Sequence, residues 1–322
     1  MDDFLKLLRA DGVVTTANAW LVPLTGGVSS EIYRVEDGSR IFVVKRALEK
    51  LRVQADWRAD PGRNLYERLY LERVGQIVPG SVPRVLSAHA GYFTMEWLGD
   101  DWENWKSRLL AGDCRVGDAA AAGRILGRIH RATFGDAALQ REFDTTENFR
   151  QLRLDPYLQT VAGKHPGHRR LIETEIARIA STRECLVHGD YSPKNMLLSG
   201  DRLMVLDCEV AWFGDPAFDL AFLLNHLLLK ALYHAPADKG LKTLFTSAQK
   251  AYFGERNLAD EREFDNRTAR ILLLLLLARV DGKSPVEYLS PGQQGKVRQF
   301  VLPHLARADL TLAEIQAAWF HL

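Results

Sequence analysis

Over the first hundred residues the apolar positions fall in short runs separated by turn residues; beyond Trp102 they recur at helical spacing. The early runs lie at 20–23, 32–35, 41–46, 82–86 and 91–98, and they read as five strands. Phe4, Leu5, Leu7 and Leu8 mark a short helix ahead of them, and 65–74 a second helix between the third and fourth strands. The later part predicts helices at 119–133, 217–233, 241–253, 263–280, 286–289, 295–304 and 312–319, with a charged amphipathic helix ending near Ser181. Asp155-Pro156 and 165–168 read as loop. Amid these helices the stretch 186–220 breaks the pattern: a short apolar strand, a polar loop, then two apolar runs joined by the turn Ser199-Gly200-Asp201. The pattern therefore predicts an α+β chain in two lobes. Residues 1–98 form a small lobe, a five-stranded antiparallel sheet with a helix, and 99–322 a larger, mostly helical one.

Composition narrows the class. The 322 residues carry 42 Lys and Arg against 41 Asp and Glu, a net charge of +1, so no global field draws the chain to nucleic acid or to a membrane surface. Three cysteines, Cys114, Cys185 and Cys208, lack metal-ligand spacing and cannot all pair, which favours a reducing compartment. The acidic start has no apolar signal-peptide segment. The apolar run 271–277 is flanked by Arg270 and Arg279 and is too short to span a bilayer, so it reads as a buried helix. A cytoplasmic protein is expected.

The chemistry concentrates in the irregular stretch. His188, Asp190 and Asn195 share its loop, and Asp207 ends the run Leu203-Met204-Val205-Leu206. An Asp and an Asn five residues apart, followed by an Asp beyond a hairpin, is the set phosphoryl transfer needs. One carboxylate must reach the attacking hydroxyl; an amide oxygen and a second carboxylate must hold Mg²⁺ on nucleotide phosphates. Upstream, Gly26 and Gly27, with Ser29, sit between two strands. Paired glycines let backbone N–H groups approach phosphate, although alone they are ordinary turn chemistry.

The stretch His188-Gly189-Asp190, then Asp207-Cys208-Glu209, then Gly214-Asp215-Pro216-Ala217-Phe218-Asp219 resembles the aminoglycoside phosphotransferase and choline kinase superfamily. These are kinase-fold enzymes that phosphorylate small molecules. The Arg that protein kinases place between His and Asp is Gly189 here, and neither Asp-Phe-Gly nor a segment closed by Ala-Pro-Glu follows Asp207. The resemblance implies ATP and Mg²⁺ as cofactors and a small hydroxyl compound as acceptor. It implies Asp190 on the acceptor hydroxyl, Asn195 and Asp207 on the metal, and Gly26, Gly27 and Ser29 over the nucleotide. Lys45, on the third strand, would reach the phosphates, with Arg46 as the choice one register step away. A Glu on the 65–74 helix, Glu67 or Glu72, would hold that Lys. The backbone of Glu96 and Leu98, ahead of the turn at Gly99, would read adenine.

Other residues carry weaker signals. Lys194 either neutralises the transferring phosphoryl group or lies in solvent; His188 braces the loop; Asp215 and Asp219 cap backbone N–H groups beneath it. Glu209 departs from the aminoglycoside enzymes and is similar to choline and methylthioribose kinases. It contacts a second metal or the acceptor, or braces the loop. The basic segment 48–64, with Trp57 and Arg58, faintly resembles a long loop of methylthioribose kinases; it closes over substrate or is simply solvated. His130, His165 and His168 read as structural or surface residues, and Gly123 and Gly127 as a site of close helix packing. An aminoglycoside phosphotransferase and a nucleotide-binding scaffold without catalysis are the alternatives.

Overall fold

A computed structural model describes residues 2–24, 30–48, 62–237, 240–307 and 309–322, and it divides into two compact units, Met1–Trp102 and Glu103–Leu322. The glycine turn at Gly26, Gly27 and Ser29 and residues 49–61 of the basic segment lie outside the described residues.

The first unit holds α1 (Asp2–Ala10), β1 (Trp20–Pro23), β2 (Ser30–Asp37), β3 (Arg40–Ala47), α2 (Arg63–Ile77), β4 (Val85–His89) and β5 (Tyr92–Glu96). The five strands form one sheet in the order β1-β2-β3-β5-β4, with every neighbouring pair antiparallel. A two-residue turn joins β2 to β3, with Asp37 opposite Arg40, and Gly38 takes the positive φ of 65° that such a turn requires. Phe4 and Leu8 of α1 pack on Val35, Phe42, Val44 and Tyr92 and close one face of the sheet. The apolar alternation thus puts β3 in the middle, where Lys45 lies opposite Ile32 of β2 and Phe93 of β5.

The second unit begins with β6 (Glu103–Asn104), α3 (Trp105–Ala111), α4 (Val116–Thr133), α5 (Ala137–Glu142) and α6 (Thr146–Phe149). A π-helix (Arg150–Gln159), α7 (Thr160–Lys164) and α8 (Arg169–Ser181) lead to β7 (Cys185–Val187), β8 (Met196–Ser199), β9 (Arg202–Val205) and β10 (Trp212–Gly214). Five helices follow: α9 (Pro216–His234), α10 (Leu241–Arg256), α11 (Glu261–Asp281), α12 (Pro291–His304) and α13 (Leu312–Trp319). α9 and the second half of α11 are apolar on nearly every face, and both are buried nearly all round. Ile271–Leu277 is therefore core, and among the described residues no helix is long and apolar enough to cross a membrane. Gly123 and Gly127 of α4 admit α10 at close range: a Cβ would stand 2.2 Å from the Ala248 carbonyl oxygen at the first and 2.7 Å from that of Tyr252 at the second.

Three expectations are corrected. Residues 286–289 form no helix; so short a segment between Pro285 and Pro291 cannot offset the cost of nucleating one, and Val286 N–H instead donates to the Arg279 carbonyl at 2.9 Å. Asp155-Pro156 is not loop but lies inside the π-helix. A proline removes a backbone donor and crowds the carbonyl four residues back, and the wider π turn accommodates both. His165 is not a free surface residue: its Nε2 lies 2.8 Å from Asp281 of α11.

Candidate active site

In the first unit Lys45 points to the α2 side of the sheet. Its Nζ lies 2.7 Å from Glu67 Oε1, and the two side chains are 2% and 3% exposed, so the pair is fully removed from water. Asn64 of α2 donates through Nδ2 to the Lys45 carbonyl at 3.3 Å and ties the helix to the strand beside the pair. Of the two candidate glutamates it is Glu67 that Lys45 meets; Glu72 binds Arg68 one turn away at 2.7 Å. Arg46 faces the other way, bonding Glu31 at 2.6 Å and lying 4.3 Å above the Phe4 ring. Strand alternation thus separates the two basic neighbours into a buried and a surface role. Glu96 ends β5; its backbone N–H donates to the Arg84 carbonyl at 3.0 Å and its carboxylate accepts from Arg84 N at 2.9 Å. Leu98 lies just beyond the strand.

In the second unit β7 pairs antiparallel with β10, and the polar loop leaves its end. Gly189 has a φ of 77°, and a Cβ there would meet the Val210 carbonyl oxygen at 2.7 Å, so only glycine fits between His188 and Asp190. Asp219, in the first turn of α9, receives the backbone N–H groups of His188 at 2.7 Å and Gly189 at 2.9 Å. It holds the loop from beneath as its spacing predicts, whereas Asp215 caps its own helix at Ala217 N and pairs with Arg178. His188 is buried: its Nδ1 accepts from Asp190 N at 3.1 Å, and its Nε2 faces the Leu206 carbonyl at 3.1 Å. An imidazole accepting at one nitrogen and donating at the other is neutral, and burial pushes its pKa down in the same sense. It braces the loop from within.

A hairpin then returns the chain. β8 and β9 pair from Met196 opposite Val205, and the ladder is extended by Leu206 N donating to Asn195 O at 2.9 Å. Asn195 and Asp207 are therefore neighbours across the hairpin's open end, although twelve residues separate them in sequence. Asn195 donates through Nδ2 to the Asp190 carbonyl at 3.0 Å, which turns its amide oxygen, an acceptor able to bind a hard cation, the other way. Asp207 has a φ of 61°, an uncommon conformation for a side chain with a Cβ and one seen where function aims a residue. An amide oxygen and a carboxylate fit a hard cation that shares its shell with phosphate oxygens and water. Among the described residues no group of three His, Cys, Asp or Glu forms a metal cage.

Asp190 is 3% exposed. Its Oδ2 is held by Lys194 Nζ and by Arg153 Nη2, each at 2.9 Å. Its Oδ1 is buried and has no hydrogen-bond partner among the described residues. Burial raises the carboxyl pKa, but Lys194 and Arg153 more than offset it, and the group sits below its ordinary value. It is an ionised carboxylate with one oxygen clamped and one oxygen ready to accept.

Arg153 escaped sequence reasoning. It lies on the π-helix, donates through Nε to the Gly189 carbonyl at 2.7 Å and reaches Asp190 in the same fork. Its only local signal was an Arg near a proline, which says nothing about a partner 37 residues away. Lys194, left open between two roles, binds Asp190 through a side chain 48% exposed. Glu209 is buried, and its carbonyl accepts from Asn148 Nδ2 at 3.0 Å. His130 lies beneath the loop, 2.9 Å from the Tyr252 hydroxyl and 3.5 Å from Asp219, a structural position.

A family model described as a phosphotransferase enzyme family matches residues 20–264, most of the chain. The chain belongs to the phosphotransferase enzyme family. Within it, the chain is 31% identical over 147 residues to the methylthioribose kinase of Pectobacterium atrosepticum, an alignment covering 45% of this chain and 31% of that protein. The chain spans about a third of the length of the curated relatives it matches. Solved structures share the fold at low identity. A choline/ethanolamine kinase family protein from Mesorhizobium loti aligns with a TM-score of 0.57 at 15% identity, over 100% of this chain and 99% of that one. An amicoumacin kinase, solved in complex with AMP-PNP, Ca²⁺ and Ami, gives 0.55 at 14%, over 98% and 94%. The α+β kinase-like fold expected for this phosphotransferase family is thus shown.

Proposed function

We propose that the protein is an ATP- and Mg²⁺-dependent kinase that transfers the γ-phosphoryl group to a hydroxyl of a small metabolite. The observation that carries this reading is the asymmetry of Asp190: Oδ2 is clamped by Arg153 and Lys194, and Oδ1 is buried without a partner. A buried acceptor atom left unsatisfied costs free energy, and an incoming hydroxyl is the group that satisfies it. In this reading the acceptor O–H donates to Asp190 Oδ1, its oxygen bonds to the γ-phosphorus, and the bond to the bridging oxygen breaks to release ADP. The proton passes to Asp190. Because the pKa of Asp190 is depressed, the carboxylate orients the hydroxyl first and takes its proton late, as suits a loose transition state.

Lys45, fixed by Glu67, contacts the nucleotide phosphates, and Asn195 and Asp207 hold the metal. When bound, Mg²⁺ supplies charge neutralisation on those phosphates. Gly26, Gly27 and Ser29 cover the nucleotide through backbone N–H groups, and the backbone of Glu96 and Leu98 reads adenine. The family and the AMP-PNP complex of a fold relative support a nucleotide as the donor.

The test is ADP release from Mg-ATP over a panel of hydroxyl acceptors, with Asp190→Asn beside the wild type. One acceptor should raise ADP release in the wild type, and the variant should lose about 10²- to 10⁴-fold of it while still binding ATP. Near-normal turnover by Asp190→Asn would remove Asp190 from the chemistry. ATP binding with silence over the whole panel would favour a nucleotide-binding scaffold.

A further inference from the structure

The second unit holds a buried cationic cluster that the transfer chemistry does not use. Lys230, on α9, has 0% of its surface exposed. Its Nζ lies 3.5 Å from the His226 carbonyl one turn back and 5.2 Å from the centre of the Tyr288 ring; among the described residues no carboxylate comes within ion-pair distance. A buried ammonium normally requires a paired acid. Arg279, on α11, hydrogen-bonds only neutral groups among the described residues: its Nη1 donates to the Tyr157 hydroxyl at 3.0 Å and to Ser284 at 2.5 Å (carbonyl) and 3.2 Å (hydroxyl), and Glu287 is near enough to feel its charge without pairing with it. Its Nε is buried without a partner among the described residues, as is the Tyr288 hydroxyl. Lys106 of α3 pairs with Glu287, the one acid that acts on Lys230.

The cluster runs on to Asp190. Tyr157 takes the Arg279 hydrogen bond on its hydroxyl, while the Arg153 guanidinium lies 5.7 Å from its ring. Arg153 then reaches Asp190 Oδ2. Arg279, Tyr157, Arg153, Asp190 and Lys194 thus follow one another side chain to side chain, and Lys230 is near enough to feel the charges of Arg279 and Lys106; Glu287 acts on Lys230 and Arg279, and Arg153 also feels the carboxylates of Asp207 and Glu209. Near Lys230 and Arg279 the excess is positive and dry, and an uncompensated charge in such surroundings is satisfied by an opposite charge brought in with a ligand.

We infer that the acceptor is an anionic hydroxyl compound, which presents a carboxylate or phosphate to Lys230 and Arg279 while its hydroxyl meets Asp190. The inference rests on the kinase reading of Asp190 and adds the substrate class to it. Polyamine antibiotics and quaternary ammonium alcohols, which carry positive charge, are excluded by the same cluster. The carboxylate and phosphate sources share one chemistry, a compact oxyanion able to take several N–H donors.

The experiment is calorimetric binding to the full chain in saturating Mg–AMP-PNP, which fills any nucleotide phosphate site. The probes are matched in skeleton: glycerate, glycerol 3-phosphate, neutral glycerol and cationic serinol. An anionic member should bind and the neutral and cationic members should not; glycerate against the phosphate ester tells which oxyanion is preferred. Lys230→Met and, independently, Arg279→Gln should each weaken that binding by about tenfold or more. Lys230→Arg, which keeps the charge, should restore part of it. Equal binding of all four probes, anion binding unchanged in both variants, or no anion binding by the wild type would overturn the inference. The AMP-PNP titration fails separately if the kinase reading is wrong, so the two ideas fall to different measurements.

Discussion

Lys45 and Lys230 are both buried, at 2% and 0% exposure, and they sit in different units with opposite surroundings. Lys45 stands in the middle strand of a sheet with Glu67 at 2.7 Å, and its charge is answered within the protein. Lys230 stands on the most buried helix of the second unit among Tyr288, His226, Arg279 and Lys106, with Glu287 already taken by Lys106. Burial first, then Lys106 and Arg279, push its pKa down to about 7, and Glu287 only partly opposes them. The comparison teaches that burial alone does not assign a role to a charged group. A buried cation with its own carboxylate is a preset charge. One without is costly while it stays charged, so burial favours its neutral form, and an arriving anion favours the charged form again.

The sharpest way to break this contrast is Lys45→Met, which leaves Glu67 buried without its cation. It should cost about 3–5 kcal/mol of stability in urea unfolding. A loss under about 1 kcal/mol would mean that the pair is not the closed unit its geometry describes. Lys230→Met should move stability the other way, gaining several kcal/mol near neutral pH, where the cost of protonating the buried amine is largest.

The pH dependence sharpens the same point. The folded pKa of Lys230 lies below its unfolded value of 10.5, so between pH 7 and 10.5 the unfolded chain holds a proton that the folded chain lacks. Wild-type stability should therefore rise with pH across that window, by about 1.4 kcal/mol per unit relative to Lys230→Met. Below pH 7 both states hold the proton and the difference should level off at its largest. A flat difference from pH 7 to 10.5 would show that Lys230 stays charged in the fold. The smallest effect is Glu72→Gln, which removes only the Arg68 partner and should change stability by about 0.5 kcal/mol or less with no change in ATP affinity. A larger effect on ATP affinity would shift the Lys45 pairing toward Glu72.

Much of the architecture was legible because it rests on periodicity. Five short apolar runs became one antiparallel sheet, and the seven apolar residues of Ile271–Leu277 became a buried helix. Where proline chemistry was involved, local reading went wrong in both directions. Residues 286–289 looked helical and lie between two prolines, whereas Asp155-Pro156 looked like a break and lies within a helix of wider turn. Propensity reports the average cost of a proline, not whether the surrounding fold accommodates it.

The sequence by itself pointed to the phosphotransferase family and the two-part α+β plan, and it named Lys45, Asp190, Asn195 and Asp207 as candidate site residues. Asp190, Asn195 and Asp207 follow from spacing along one loop and hairpin, which is a local property, and Lys45 from the resemblance to the family. Only the tertiary structure decided that Glu67 meets Lys45, that Arg153 clamps Asp190, and that Lys230 and Arg279 make no ion pair among the described residues. Each of these depends on side chains brought together from separate elements. A charge printed in a sequence carries no record of which opposite charge the fold will place beside it, or of whether it will place one at all.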